Sequence, residues 1–300
     1  MTSSPAPDVS VVVLTHERPR ELAALLPRLL ALPEKPRLIV VDNASRGDGL
    51  GDLPHRHPQV QWVRCARNLG AAGRNAGVAH VRTPFVAFCD DDTCWAPGAL
   101  ARAAQLLHAH PRIGVLSARV LVGPQADEDP ACARMQRSPL PADSLPGPAL
   151  VAFMAGACVM RTEAYRSAGG YEPRLFLGAE EWLMSLDLLA RGWRIVYAHE
   201  VVTHHHPSAG GRDPAGRRVA VARNSLWIAC MRLPPALMLQ LCARTLAQSA
   251  RHGLLAPVLR QSLPGLRWAL ARRACVPREV SEQVAQVMAA TGPAASDDIL

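Results

Sequence analysis

Three short apolar runs, each with an acid at or just past its carboxyl end, constrain this chain more than any other feature. They are VSVVVLTHE at 9–17, RLIVVD at 37–42 and FVAFCDDD at 85–92. Runs that are apolar at every position must be covered on both faces, as central strands of a parallel sheet are. Between them lie segments with helical spacing: RELAALLPRLLAL at 20–32, with Pro27 a local defect, and GAAGRNAGVAH at 70–80, a glycine-rich loop opening a helix. QWVR at 61–64 reads as a further short strand. Strand, helix, strand, turn, strand, helix, strand is the grammar of a parallel α/β sheet. Ligands of such sheets sit beyond the carboxyl ends of the strands, where Asp42, Asp90, Asp91 and Asp92 fall.

The pattern continues with a helix over 97–110 and a strand over 113–123. A polar, proline-rich stretch at 124–148 reads as a loop, and VAFMAGACVMR at 151–161 as a strand with a central glycine. A short helix and turn over 165–171 closes on Gly169-Gly170. A helix over 180–191 carries Glu180 and Glu181 in its first turn, where the helix dipole favours acids. Strands follow at 194–197 and 201–206. Hydrophobic residues make up 49% of the 300, enough for a substantial core, and the charged fraction of 19% argues against disorder.

Three adjacent carboxylates repel one another unless a cation neutralises them. Mg²⁺ and Mn²⁺ prefer such hard oxygen ligands and commonly share them with substrate phosphates. In an extended stretch the first and third side chains face the same way, so Asp90 and Asp92 address one ligand while Asp91 faces elsewhere.

VSVVVLTHERP, VVDNAS, RNLGAAGRNAG, FVAFCDDDTCWAPGAL and GGYEPRLFLGAEEWLMSLDLLARGWRIVYAHEVVTHH occur in one order over roughly residues 8–210. Together they resemble the family 2 glycosyltransferases, inverting enzymes of the GT-A fold, in particular bacterial rhamnosyltransferase-like members of the cell-surface glycan type. The resemblance implies a nucleotide-binding, mostly parallel α/β sheet flanked by helices, with a nucleotide half at about 8–92 and an acceptor half at about 93–210. It implies that a sugar moves from a nucleotide-diphosphate donor to an acceptor hydroxyl on a glycan or a lipid-linked glycan. It places Thr15, Glu17, Asp42, Arg74, Asp90 and Asp91 at the nucleotide sugar, with Asp90 nearer the ribose, and Asp92 and His204 on a divalent metal. Glu181, with Glu180 beside it, occupies the place of the catalytic base. A histidine ligand tilts the cofactor toward Mn²⁺ over Mg²⁺, and His206 is the same-face competitor of His204. Plainer roles remain for the same residues. Asp42 suits an Asx turn, Thr15 or Glu17 a helix cap, Arg74 a helix surface, and Glu180 and Glu181 a dipole-favoured first turn. Trp182 and Trp193 lie close to the glutamate pair: Trp182 suits stacking on a sugar or acceptor ring as well as it suits the core, and Trp193 suits core packing.

The net charge of +8 is uneven: twelve arginines lie between positions 212 and 278, against the single acid Asp213. This segment, within a helical C-terminal region at 211–300, suits an anionic surface. Its apolar stretches are short and interrupted by Arg. An amphipathic helix lying on anionic lipid is one reading, and an appendage packed on the catalytic unit or on a second subunit is the other. Arg223-Asn224 resembles a short motif that follows the catalytic domain in bacterial members of the family. The eight cysteines form no C-x-x-C pair and read as reduced and mostly buried. With no secretory leader pattern in the first residues, the expected location is cytoplasmic, at the inner face of the membrane. Two other functions compete. A nucleotidyltransferase would carry a basic glycine-rich signature after its first strand, which VLTHERPRELAALL lacks. A non-catalytic nucleic-acid-binding or scaffold protein would use the arginines, but no nucleic-acid-reading motif is present and no nucleic-acid partner is expected.

Overall fold

The continuous apolar runs at 9–15, 37–42 and 85–90 lie side by side in the interior of one sheet. The computed structural model describes residues 8–47, 49–207 and 213–290. Strand β1 (Val9–Thr15) is paired in parallel on one side with β2 (Arg37–Asp42) and on the other with β4 (Phe85–Asp90). Strand β3 (Gln61–Arg64) lies parallel beyond β2. Helix α1 (Pro19–Leu30) buries Leu22, Leu25, Leu26 and Leu29, while Pro27 sits on its exposed side and the helix runs through it. Helix α3 (Gly73–Val78) follows a 3₁₀ turn at Gly70–Ala72 and lies close against β1 and β2. A Cβ on Gly77 would meet Val12 Cγ1 at 2.5 Å, and one on Gly73 would meet Leu14 Cδ1 at 2.7 Å. The glycines of GRNAG are therefore packing residues that let Arg74 and Asn75 reach the carboxyl edge of the sheet.

The second half changes strand direction. Strand β8 (Ala157–Arg161) pairs antiparallel with β4 and with β6 (Ile113–Val122). Strand β9 (Arg194–His205) runs parallel to β6 and antiparallel to β5 (Thr93–Trp95). The main path is β3-β2-β1-β4-β8-β6-β9-β5, with β7 (Asp127–Glu128) paired to β6. Most paired residues lie in parallel ladders, and helices cover the sheet: α2 (Leu53–Arg56), α4 (Ala99–Ala109), α5 (Pro130–Gln136), α6 (Thr162–Ala168) and α7 (Glu180–Ala190). Helices α8 (Pro214–Arg232), α9 (Pro235–Arg251), α10 (Leu255–Ala271) and α11 (Arg278–Ala290) follow. Trp227, Leu237, Ala269, Val280 and Met288 from these helices join the same hydrophobic cluster as the sheet.

Several local expectations needed adjustment. The 151–161 run is a strand only over Ala157–Arg161. The stretch 124–148 contains β7 and also α5, whose N-cap Asp129 accepts from Ala131 N at 2.8 Å. The two runs between 194 and 206 form the single strand β9, and β5 had no visible signature of its own. The boundary expected at 210/211, Arg212 and the tail 291–300 lie outside the described residues. All eight cysteines are free thiols, six of them buried. No helix among the described residues is long and apolar enough to cross a membrane.

Candidate active site

The parallel register brings the three strand ends to one edge, because Thr15 lies opposite Asp42 and Leu14 opposite Asp90. Asp42 is buried. Its Oδ1 accepts from Ser45 N at 2.8 Å, and its Oδ2 lies 3.6 Å from Arg64 Nε. Glu17, in the left-handed region at φ 58°, is exposed and accepts from Arg46 N through Oε1. The loops after β1 and β2 are thus tied together by Glu17, Asp42 and Ser45, with the Glu17 carboxylate facing solvent.

The acid run divides its labour by direction. Asp91 turns inward, accepting from Thr15 Oγ1 at 2.8 Å and from Arg18 Nη1 at 2.6 Å. Burial raises its pKa to about 6 against the opposing pull of Thr15 and Arg18. Asp92 receives Arg18 Nη1 at 3.0 Å and lies 3.6 Å from His205 Nε2. For Asp92 the cost of burial is outweighed by His205 and Arg18, and its pKa is lowered. For Arg18, burial weakens the charge, but Asp91 and Asp92 outweigh it and hold its pKa above the ordinary value. Arg18 escaped the sequence reading; its only signal there was its place in the HERP turn just past β1.

Pairing of β5 with β9 sets Thr93 opposite His205 and Cys94 opposite His204. Alternation along β9 then directs His205 toward Asp92, while His204 and His206 stack on each other with ring planes 9° apart. No group of three or more His, Cys, Asp or Glu among the described residues could by itself hold a metal ion. Asp92 and His205 offer one oxygen and one nitrogen donor. By themselves these two donors would be too few for a divalent cation, which would need further oxygens such as those of a diphosphate and water.

Asp90 points toward Gly156, just before β8. Its carboxylate occupies the space a Cβ on Gly156 would fill, accepts from Arg74 Nη2, and keeps 42% of its side-chain surface exposed. Arg74 is buried, stands over the Tyr171 ring at 5.6 Å and has no partner for Nε. Desolvation opposes its charge, but Asp90, Tyr171 and Glu180 outweigh this and raise its pKa. Next to it Asn75 holds the turn at Tyr171, ahead of α7. Its Oδ1 accepts from Tyr171 N and the Tyr165 hydroxyl, and its Nδ2 donates to Tyr171 O.

Glu180 and Glu181 open α7. Glu180 is buried, and its Oε2 has no partner; Glu181 is half-buried. Burial raises both pKa values, and the Glu180 charge raises Glu181 further, with Arg74 and Arg217 opposing. The segment entering the helix is bent through three left-handed residues, Phe176, Gly178 and Ala179. Asn224 of α8, buried, clamps it: Nδ2 donates to Leu175 O at 2.8 Å, Leu177 O at 3.2 Å and Gly178 O at 2.5 Å. Arg223 Nη2 adds a bond to Leu175 O. The Arg223-Asn224 motif therefore acts on the glutamate pair from the C-terminal helices. Trp182 is buried in the core, with no face to offer a sugar, whereas Trp193 is half-buried and bonded to Ser167 Oγ at 3.1 Å.

Over residues 10–167 the sequence matches the family described as Glycosyl transferase family 2. The chain is similar to the N-acetylglucosaminyl-diphospho-decaprenol L-rhamnosyltransferase of Mycobacterium tuberculosis. The two are 25% identical over 249 residues, or 70% of this chain and 80% of that protein. Its fold is similar to that of S. aureus TarS, with a TM-score of 0.63 and 17% identity over 95% of this chain and 84% of that one. It is also similar to the mannosyltransferase PcManGT from Pyrobaculum calidifontis, solved in complex with GDP-Man and Mn²⁺. There the TM-score is 0.57 and the identity 21%, over 96% of this chain and 87% of that one. At such identities these two likenesses speak for the GT-A fold alone, while the family match covers more than half the chain and decides against nucleotidyl transfer. The chain belongs to glycosyl transferase family 2 and is a glycosyltransferase.

Proposed function

We propose that this glycosyltransferase moves a sugar, with inversion, from a nucleoside-diphosphate donor to a hydroxyl of a lipid-linked glycan in cell-surface polysaccharide synthesis. The observation that carries the reading is the Glu180–Glu181 pair at the start of α7, one buried and one half-buried, which shares Arg74 with Asp90 at the carboxyl edge of the sheet. The nucleotide binds across Thr15, Glu17, Asp42 and Asp90, with Arg74 holding Asp90 in place and Asp91 fixing the Thr15–Arg18 corner. Asp92 and His205 would hold a divalent cation, Mn²⁺ or Mg²⁺. His204, expected from the resemblance as the second ligand, lies on the other face of β9. When bound, the cation supplies positive charge at the departing diphosphate.

Glu181 is the more exposed of the glutamates and the better placed to reach an acceptor. The acceptor oxygen attacks the anomeric carbon as its bond to the diphosphate oxygen breaks, and the hydroxyl proton passes to the Glu181 carboxylate. Glu180, buried beside it, keeps that carboxylate basic through its charge. The catalytic unit spans 8–210, with the nucleotide half at 8–92 and the acceptor half at 93–210, and the helices beyond pack into the same hydrophobic cluster. The relative's name describes rhamnosyl transfer onto a polyprenyl-diphosphate sugar. A dTDP-deoxyhexose and a polyprenyl-linked acceptor at the inner membrane face are therefore the first substrates to test.

The test is a thermal-shift panel of UDP-, GDP-, dTDP- and ADP-sugars with Mn²⁺, Mg²⁺ or EDTA, on the natural protein and on Asp92→Ala. Metal-dependent stabilisation by one nucleotide class, lost in Asp92→Ala, supports the reading and names the donor base. Absence of any shift at millimolar nucleotide overturns the proposed donor site.

A further inference from the structure

Six large hydrophobic side chains are exposed among the described residues, and they are not scattered. Phe176 and Leu177 lie in the bent segment before Glu180, and Leu239, Leu259, Leu263 and Leu270 lie on α9 and α10. On α10 the burial follows the helical period. Val258, Ser262 and Ala269 are buried on one side, while Ala256, Leu259, Leu263 and Leu270 face out on the other, with Leu263 63% exposed. Arg260 and Arg267, both exposed, lie along one edge of that outward stripe. No acid occurs anywhere from 214 to 278, so nothing on these helices offsets the arginines. Several arginines of the segment are engaged internally. Arg223 and Arg273 bond backbone carbonyls, and Arg232 pairs with Asp187 at 2.6 Å. The two beside the leucine stripe point outward instead.

Helix α10 is fastened to the mouth of the site. The Arg174 guanidinium stands over the Trp268 ring at 5.0 Å, and Arg272 Nη1 lies 3.0 Å from Glu172 Oε2. Both bonds reach the segment that continues into Phe176, Leu177 and the glutamate pair.

We propose that the outward face of α10, with Leu259, Leu263 and Leu270 inserted and Arg260 and Arg267 along one edge, docks this protein on an anionic lipid bilayer surface. An in-plane helix places its leucines below the headgroups while arginine side chains extend to the phosphates. A second copy is a poorer occupant, since the same face would set arginine against arginine with no acid to pair them. Docked in this way, the protein lies at a surface that carries polyprenyl-linked sugars, with α10 tied through Trp268 and Arg272 to the segment before the glutamates. This deepens the acceptor reading above and rests on it for the acceptor alone; the docking itself is independent of transfer.

The experiment is flotation of the full chain with phosphatidylcholine vesicles, with and without phosphatidylglycerol, at low and high salt. The natural protein is expected to float with the phosphatidylglycerol vesicles and to release as salt rises. Leu259→Ser/Leu263→Ser/Leu270→Ser is expected to lower partitioning at least about tenfold. Arg260→Gln/Arg267→Gln is expected to lower it about fivefold per arginine lost. The nucleotide thermal shift on the same variants reports the donor site separately. Unchanged donor binding with lost flotation supports docking, and flotation without donor binding supports docking while removing the transfer reading. Failure of the natural protein to float overturns the proposal, as does undiminished flotation of the leucine variant. A concentration-dependent dimer that the leucine variant abolishes, without vesicle binding, assigns the face to a second copy and overturns it as well.

Discussion

Arg74 donates from Nη2 to Asp90 Oδ1 at the carboxyl end of β4, and the same buried guanidinium faces Glu180 at the start of α7. One cation therefore balances carboxylates from both halves of the site, and two polar atoms around it, Arg74 Nε and Glu180 Oε2, have no partner of their own. Leaving such groups unpaired costs stability, which functional sites tolerate when a ligand is to meet them. Arg74→Ala should lower stability by about 2–3 kcal/mol. This is below the range for a fully buried pair because Asp90 stays partly exposed. Chemical denaturation measures the stability loss, and transfer assays should show a large fall in turnover. An unchanged turnover would remove Arg74 from the site.

The raised pKa values of Glu180 and Glu181 make opposite statements about stability and activity. A carboxyl whose folded pKa lies above its unfolded value of 4.5 stabilises the fold while protonated. That contribution is complete below 4.5 and is lost as pH rises through the folded value. Glu181→Gln should thus raise the melting temperature relative to the natural protein, most at the alkaline end, and flatten the pH dependence. The same change should cut turnover by about 10²–10⁴-fold. In the natural enzyme, turnover should rise with pH as the pair ionises. A turnover maximum in acid would exclude Glu181 as base.

Asn224 makes three carbonyl contacts with the segment before Glu180 from a helix outside the sheet. Asn224→Asp removes the donors and sets a carboxylate against those carbonyls. It should cost about 2–3 kcal/mol in stability and lower kcat. The thermal shift given by donor nucleotide should stay close to that of the natural protein, because Thr15, Asp42 and Asp90 are untouched. Loss of donor binding and turnover together would indicate general unfolding instead.

The histidines can be separated in the same way. His205→Ala should abolish the metal-dependent part of donor stabilisation, while His204→Ala should leave most of it. Isothermal titration of Mn²⁺ with nucleoside diphosphate present measures both. The reverse ranking would restore the alignment expected from the resemblance.

Much of the first half was legible because its information is local. Apolar runs without alternation can only be two-sided strands, and an acid at the end of such a run in a parallel sheet stands where ligands bind. The order of five motifs then named the family before any geometry was known. What stayed hidden depends on contacts across the chain. Arg18 and Asp91 are 73 residues apart, and Asn224 and Gly178 are 46 apart. No periodicity encodes such pairs.

The amino-acid sequence by itself determined the strand–helix order, the acids at the sheet edge, the glutamate pair and the acid-free arginine segment, all set by short-range spacing and composition. Only the tertiary structure decided which histidine meets Asp92, because that follows from the antiparallel register of β5 on β9, and a slip of one residue would exchange the two faces. The same holds for the burial of Trp182, the outward turn of Leu259, Leu263 and Leu270, and the sharing of Arg74 between Asp90 and Glu180. In each case side chains far apart in sequence compete for the same buried space, and packing of the whole chain settles which of them obtains it.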